Sequence, residues 1–340
     1  VTSSHRPDSH TAASAETMTN PRADRVRDVA KLAQRSARMR RGLFLAEGPQ
    51  AAREALRLDA QVADADDGGP RLVTEVYASA ACLERYPELE ALARANGTLR
   101  LATEGVLAAM ADTVNPQGIV AVCRQLDVSL AEVLNRGPRL VSVLCRVQDP
   151  GNAGTILRAA DAAGADAVIF TEGSVDPYNP KTVRSTAGSL FHVPFVIGTD
   201  SAALAEELRA AGIGVLAADG YGTVDLDALQ DESAGRRLAD LRPGEASGGD
   251  NPDPASAGEA APEATSSPHR EEAPSYALEA PTAWLFGNEA QGLSDAELGL
   301  ADARVAVPIY GDAESLNVGT AATVCLYASA RAQRRGRPTR

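Results

Sequence analysis

The stretch Leu140-Val141-Ser142-Val143-Leu144-Cys145-Arg146-Val147, followed by Asp149-Pro150-Gly151-Asn152-Ala153-Gly154-Thr155-Ile156-Leu157-Arg158, decides the fold class. The first eight residues, rich in Val and Leu, form a short apolar run that reads as a buried strand. Pro, Gly and Asn then mark a turn, and a helical pattern covers residues 152–163. A second strand is expected over 165–171. The alternation returns as a helix over 201–211, a strand over 213–217, strands over 282–286 and 303–309, and a long helix from about Ser315 to Gln333. Strands alternating with helices predict an α/β fold with a mostly parallel sheet, here assigned to residues 138–335.

Working outward, residues 1–20 are polar and rich in Ser, Thr and Ala, and are expected to be a disordered tail. A helical pattern starts near Ala23 and carries Val26, Val29, Ala30 and Leu32. Residues 42–56 read as a turn, a strand at 43–46 and a second helix, and strand-like runs follow at 72–77 and 118–123. These make a smaller α/β domain over residues 21–125. A short helix and the Gly137-Pro138 loop then form the boundary region, 126–138. Residues 232–279, dense in Ala, Pro, Glu, Ser and Gly, bury too little apolar area to offset their ordering entropy. They read as a disordered acidic insertion in a surface loop of the second domain, a position where length costs little.

Composition removes several function classes. The chain has 340 residues, 44% of them hydrophobic but only 4% aromatic, so its cores must be built from Ala, Val, Leu and Ile. Cys82, Cys123, Cys145 and Cys325 contain no CxxC pair, and at least three lie in apolar runs, which argues against a disulfide framework or zinc site. His5, His10 and His269 fall in polar or low-complexity stretches, leaving His192 as the one histidine in an ordered-looking segment. No metal site and no histidine-based triad are expected. No apolar run approaches the roughly 20 residues that span a bilayer, and the first twenty residues lack an apolar segment. The expectation is a cytoplasmic protein with no membrane partner.

The net charge of −13 is unevenly placed. Residues 231–280 hold 11 acidic against 4 basic side chains, whereas residues 20–45 hold Arg22, Arg25, Arg27, Lys31, Arg35, Arg38, Arg40 and Arg41 against Asp24 and Asp28. A basic helix over residues 22–41 is compatible with phosphate contacts, and equally with a solvated helix face.

Three turns carry candidate chemistry. The first, Asn152-Ala153-Gly154-Thr155-Ile156-Leu157-Arg158, opens a helix whose free amides suit an anion, but the GxGxxG of a dinucleotide fold is absent. The second is Leu285-Phe286-Gly287-Asn288-Glu289-Ala290-Gln291-Gly292-Leu293. The third is Val307-Pro308-Ile309, a loop, and Glu314-Ser315-Leu316-Asn317-Val318-Gly319, with Ser315 placed as the helix N-cap. Singly each is ordinary punctuation. Together and in this order they resemble the three signature motifs of the SpoU/TrmH (SPOUT) methyltransferases. Asn179-Pro180-Lys181-Thr182-Val183-Arg184-Ser185-Thr186-Ala187-Gly188 is similar to that family's region between its first and second motifs. Arg41-Gly42-Leu43-Phe44-Leu45-Ala46-Glu47-Gly48 is similar to the substrate-binding domain that precedes many such catalytic domains.

The resemblance implies a C-terminal trefoil-knotted methyltransferase domain behind a smaller, L30e-like RNA-binding domain. It implies S-adenosyl-L-methionine as cofactor, held largely by backbone groups in loops that here contain Gly287, Ile309 and Leu316. The implied reaction is 2′-O-methylation of a ribose in RNA, with ribosomal RNA favoured over transfer RNA by the two-domain arrangement. Arg158 takes the place of the arginine near the reacting hydroxyl. Because a guanidinium holds its proton, its expected role is to stabilise the developing alkoxide, or to act as base only where its site draws that proton away. Asn152 and Glu289 are expected to organise Arg158, and Ser315 and Asn317 to hold the ribose or the loops. A homodimer is implied, each site being completed by the neighbouring subunit. Gly319 and Thr320 stand where relatives often carry other small residues, a departure from the family pattern. The competing readings are a non-catalytic RNA-binding paralogue and a nucleotide-binding oxidoreductase, the latter lacking GxGxxG.

Overall fold

The computed structural model describes residues 17–64, 69–241 and 276–334. It divides into two compact units, one made of residues up to Leu126 together with Asp176–His192, the other of Asp127–Val175 and Val193 onward.

The first unit runs α1 (Asp24–Ala30), α2 (Arg35–Arg41), β1 (Leu43–Glu47), α3 (Pro49–Asp64), β2 (Val73–Ala78), α4 (Ala80–Arg85), α5 (Pro87–Asn96), β3 (Leu99–Leu101), α6 (Glu104–Met110) and β4 (Ile119–Arg124). Its sheet has the order β1-β4-β2-β3, with β4 antiparallel to both β1 and β2 and β3 parallel to β2. Both faces of β4 are covered, which explains why Ile119-Val120-Ala121-Val122-Cys123 is apolar at every position rather than alternately. Val120 and Val122 join Val26, Val29, Leu32, Val106 and Met110 in one cluster.

The second unit runs α7 (Leu130–Asn135), β5 (Leu140–Leu144), α8 (Pro150–Ala163) and β6 (Ala167–Thr171). After α9 (Pro180–Ser185), which lies in the first unit, it continues with β7 (Phe195–Thr199), α10 (Ser201–Ala210), β8 (Gly214–Ala218), β9 (Val224–Asp225) and α11 (Leu226–Leu241). It closes with β10 (Thr282–Phe286), α12 (Asp295–Leu298), β11 (Ala303–Ala306) and α13 (Val318–Gln333). Its seven strands are ordered β7-β6-β5-β10-β8-β11-β9, and every pairing is parallel. Strands β5, β6 and β10 are buried at all five positions, as a doubly covered parallel sheet requires. Helix α13 packs on α8, and Ser329 on it accepts a hydrogen bond from the buried Trp284 indole at 2.9 Å.

Several expectations need correction. Residues 17–20 are not a free tail, because Met18 bridges Ala102 in parallel and donates its N–H to the Leu101 carbonyl at 2.8 Å. The rest of the supposed tail lies outside the described residues. The insertion expected over 232–279 is ordered at both ends. Leu226, Leu229 and Ser233 recur at helical spacing on the buried side of α11, which packs against α13, and Arg236 bonds Glu279. Residues 242–275 lie outside the described set.

The boundary also moves. Residues 127–137 belong to the second unit, where Val133 packs in the core and the Val128 N–H bonds the Phe195 carbonyl. Residues 176–192 leave the second unit for the first, because the fully enclosed Arg38 side chain grips Asp176 and the Tyr178 ring lies 4.8 Å from that of Phe44. The basic helix expected over 22–41 is interrupted where Gln34 turns extended between α1 and α2. Strand β11 stops at Ala306, short of Pro308, which has no N–H for a ladder.

Candidate active site

The strand-to-helix turn after β5 is fixed from within. Asp149 caps α8 by accepting the Asn152 N–H at 2.8 Å, and Pro150 occupies the first helical turn, where its missing N–H costs nothing. Asn152 is thereby half-exposed at the mouth of the turn. Its Nδ2 donates to Glu289 Oε1 at 3.2 Å, and its Oδ1 accepts from Asn317 Nδ2 at 2.9 Å. Glu289 also accepts the backbone N–H groups of Gln148 and Asp149 at 3.2 and 3.1 Å. A carboxylate can only accept, so it sets the orientation of both amides in the relay. Asn317 Oδ1 in turn accepts from the Gly319 and Thr320 N–H groups. It is Asn317 and not Ser315 that caps α13, because the chain becomes helical only at Val318.

The turn after β10 is equally constrained. Asn288 and Gly292 exchange backbone hydrogen bonds, and Asn288 Nδ2 donates to the Arg146 carbonyl at 3.0 Å. Gly287 lies where this turn closes, and a Cβ there would come within 2.3 Å of the Gly292 carbonyl carbon, so no side chain fits. A Cβ on Gly319 would meet Thr155 Cγ2 at 2.9 Å, which supplies a packing reason for that departure from the family pattern.

The structure thus joins Asn152, Glu289 and Asn317, one from each turn. It leaves Arg158 outside the relay, exposed on α8 beyond Thr155, its side chain making no hydrogen bond or ion pair among the described residues. Ser315 is also exposed and outside it. Ile309 and Leu316, 38% and 37% exposed, flank a loop whose backbone groups make no hydrogen bond to other described residues. Free backbone donors and acceptors beside apolar side chains fit a ligand with a flat apolar face and a polar edge, as an adenine has.

The motif reading missed Arg146 and Glu297. Arg146 has the left-handed backbone φ of 55°, sparsely populated for a side chain of this kind, and forms a bidentate pair with Glu297 at 3.0 and 2.7 Å. Burial alone would raise the Glu297 carboxyl, but the bonds from Arg146 and Ser294 outweigh it and hold the group below the usual carboxylate range. The pair ties the end of β5 to α12, so both turns that meet at Glu289 share one anchor. The Ser294-x-x-Glu297 capping box was a visible signal for Glu297, and a structural one. Nothing in the sequence pairs it with Arg146.

Part of the basic run is paired within the first unit, while Arg22, Arg35 and Arg40 make no side-chain bond among the described residues. Arg38 is 2% exposed and bonded to Asp176, Leu32 and Ala33; Arg25 pairs with Glu75, Arg27 with Asp24, and Lys31 with Asp28. Of the eight, Arg38 is the one whose burial keeps it from meeting a phosphate.

Residues 139–237 and 257–327 match the SpoU rRNA Methylase family, and residues 23–121 match the MRM3-like substrate binding domain. The chain is 32% identical over 303 residues to the 23S rRNA (guanosine(2553)-2′-O)-methyltransferase RlmP of Bacillus subtilis, covering 89% of this chain and 94% of the relative. It is similar to the crystal structure of the SpoU methyltransferase AviRb from Streptomyces viridochromogenes in complex with AdoMet, at a TM-score of 0.67 and 26% identity, covering 93% of this chain and 100% of that one. An AdoMet-bound rRNA methyltransferase from Sinorhizobium meliloti gives a TM-score of 0.67 at 25% identity over 93% of this chain and 97% of its own. With the three motif turns, the parallel sheet and both family models in agreement along its length, the chain belongs to the SpoU rRNA methylase family.

Proposed function

We propose that the protein is an S-adenosylmethionine-dependent methyltransferase acting on the 2′-hydroxyl of a ribose in ribosomal RNA. The relay Asn317–Asn152–Glu289, which fastens the three signature turns to one another, carries this reading. The cofactor when bound supplies a methyl group on a positively charged sulfur, an excellent leaving group. The chain's own task is then to orient the ribose and ease the loss of its proton. Arg158, free on the exposed face of α8, holds the developing alkoxide, while Asn152, Glu289 and Asn317 keep the turns around it in register. Ser315 faces the ribose. Gly287, Ile309 and Leu316 line the cofactor loops, with Gly287 supplying closeness and the other two apolar contact.

The relatives' names support ribosomal RNA over transfer RNA, as does the match to a substrate binding domain. Exposed Val324 and Tyr327 fall on one face of α13, and they support a homodimer in which a second copy covers that face. Four free, buried thiols suit a reducing cytoplasm, and no helix among the described residues is long and apolar enough to cross a membrane. A trefoil knot in the second unit and an L30e-like first unit belong to the same reading.

The test is transfer of labelled methyl from S-adenosylmethionine to total unmodified RNA, comparing wild type with Arg158→Ala. The reading expects label in ribosomal RNA at one alkali-resistant linkage, lost in the variant. Label in transfer RNA alone overturns the substrate, and full turnover by the variant removes the role given to Arg158.

A further inference from the structure

The first unit contains a recess of about 290 Å³ that none of the catalytic residues touches. Its lining comes from three remote segments: Glu47 to Ala51 where β1 enters α3, Ala111 to Val120 before and within β4, and Arg184 with Ala187. The last two residues lie within the sequence matched by the methylase model, whereas the others lie in the substrate-binding match. All belong to the first unit.

The charged groups here are already satisfied. Arg184 donates to Glu47 Oε2 at 2.8 Å and to Asp112 Oδ2 at 3.1 Å, and Glu47 also accepts the Asp112 and Thr113 N–H groups. An anion would find no unpaired cation, and a metal ion no unpaired carboxylate. What remains are the side-chain carboxamides of Asn115 and Gln117, which are exposed and make no hydrogen bond among the described residues. Each offers a donor and an acceptor side by side, the pattern that a nucleobase edge answers. Between Thr113 and Asn115, Val114 is 93% exposed, an apolar side chain held in water next to two residues of the lining. Gly48 keeps the opening: its φ is 88°, and a Cβ there would lie 2.8 Å from Gln117 Oε1.

Pro116 and Gln117 are also a wall of a neighbouring recess of about 390 Å³, which includes Tyr86. The guanidinium groups of Arg53 and Arg85 lie 5.7 and 5.4 Å from that ring. Both lie over the ring and Arg53 is bonded to Glu88, whereas Arg85 makes no ion pair among the described residues. That cation suits the phosphate of a neighbouring nucleotide, so the pair of recesses fits a polymer better than a free base.

We infer that the first recess takes one unstacked nucleobase of the RNA, read at its hydrogen-bonding edge by Asn115 and Gln117. The inference rests on the RNA reading above and goes beyond it by naming where base identity is read. The experiment uses the full chain with both residues replaced, Asn115→Ala and Gln117→Ala, and an unmodified 23S rRNA transcript. The expected result is a rise in the RNA KM of at least tenfold, with S-adenosylmethionine affinity and Tm unchanged. The slope of log affinity against log salt should also stay the same, since base contacts release no counterions. A KM within twofold of wild type overturns the inference, and so does a shallower salt slope, which would make the two amides phosphate contacts. If wild type methylates no RNA, the methyltransferase reading falls, and retention of the same transcript on filters decides for the recess. Equal retention by both proteins, or none by either, overturns it.

Discussion

The two units hold their remote segments by different means. In the first, residues 176–192 are locked by charge: Arg38 grips Asp176 in near-complete burial, and Arg184 grips Glu47. In the second, the three signature turns are fastened mainly by amide and carboxylate hydrogen bonds at a half-open surface, with one ion pair, Arg146–Glu297, behind them. A buried ion pair is costly to break on one side, so it suits a segment that must not leave. A relay of amides at the surface costs less to rearrange and leaves its neighbours free for a substrate. The difference separates a part built for permanence from one built for exchange.

The largest expected effect tests the first half of that contrast. Asp176→Ala strands the Arg38 guanidinium and should destabilise the protein by about 3–5 kcal/mol, read as a lower urea midpoint at constant slope. A loss below about 1 kcal/mol would mean that the segment is held by its aromatic packing instead. Next comes Arg158→Ala, which removes no side-chain hydrogen bond or ion pair among the described residues and should leave stability unchanged. It should reduce methyl transfer about a hundredfold, the scale of losing one donor to a developing oxyanion. Equal loss of stability would show that Arg158 belongs to the scaffold.

Smaller again is Arg146→Ala. The arginine is about one-third exposed, so solvent screens the pair, and we expect about 2 kcal/mol, half of what full burial would give. The smallest effect is its pH dependence. Glu297 is depressed below its ordinary value of 4.5, so its contribution is complete above that pH and fades as pH falls through the lower, folded value. The gap in Tm between wild type and Arg146→Ala should therefore narrow as the solution is acidified below pH 4.5. A constant gap would assign the effect to lost packing around the arginine stem rather than to charge.

Much of the second unit is legible in the sequence. Its central strands β5, β6 and β10 are largely apolar runs because both faces of the sheet are covered there, and its turns carry Gly, Pro and Asn where the backbone must bend. The short strands β3 and β9, three and two residues long, were not legible, since so few residues carry no periodicity. Nor was the fate of the basic run, because a sequence shows charges without showing which partners lie 138 residues away, as Asp176 does from Arg38.

At the site, Asn152, Glu289 and Asn317 could be named from motif order, and their direct bonding is a matter of tertiary structure. Arg146 could not be named, since an arginine ending an apolar strand has no signature of its own. The sequence by itself determined the α/β class, the parallel sheet and the identity of the three turns, because these follow from local periodicity and turn chemistry. Only the tertiary structure decided that residues 176–192 belong with the first unit and that Arg184 completes a recess there. Such placements depend on side chains that meet across more than a hundred positions, and no local pattern encodes which of many possible partners is reached.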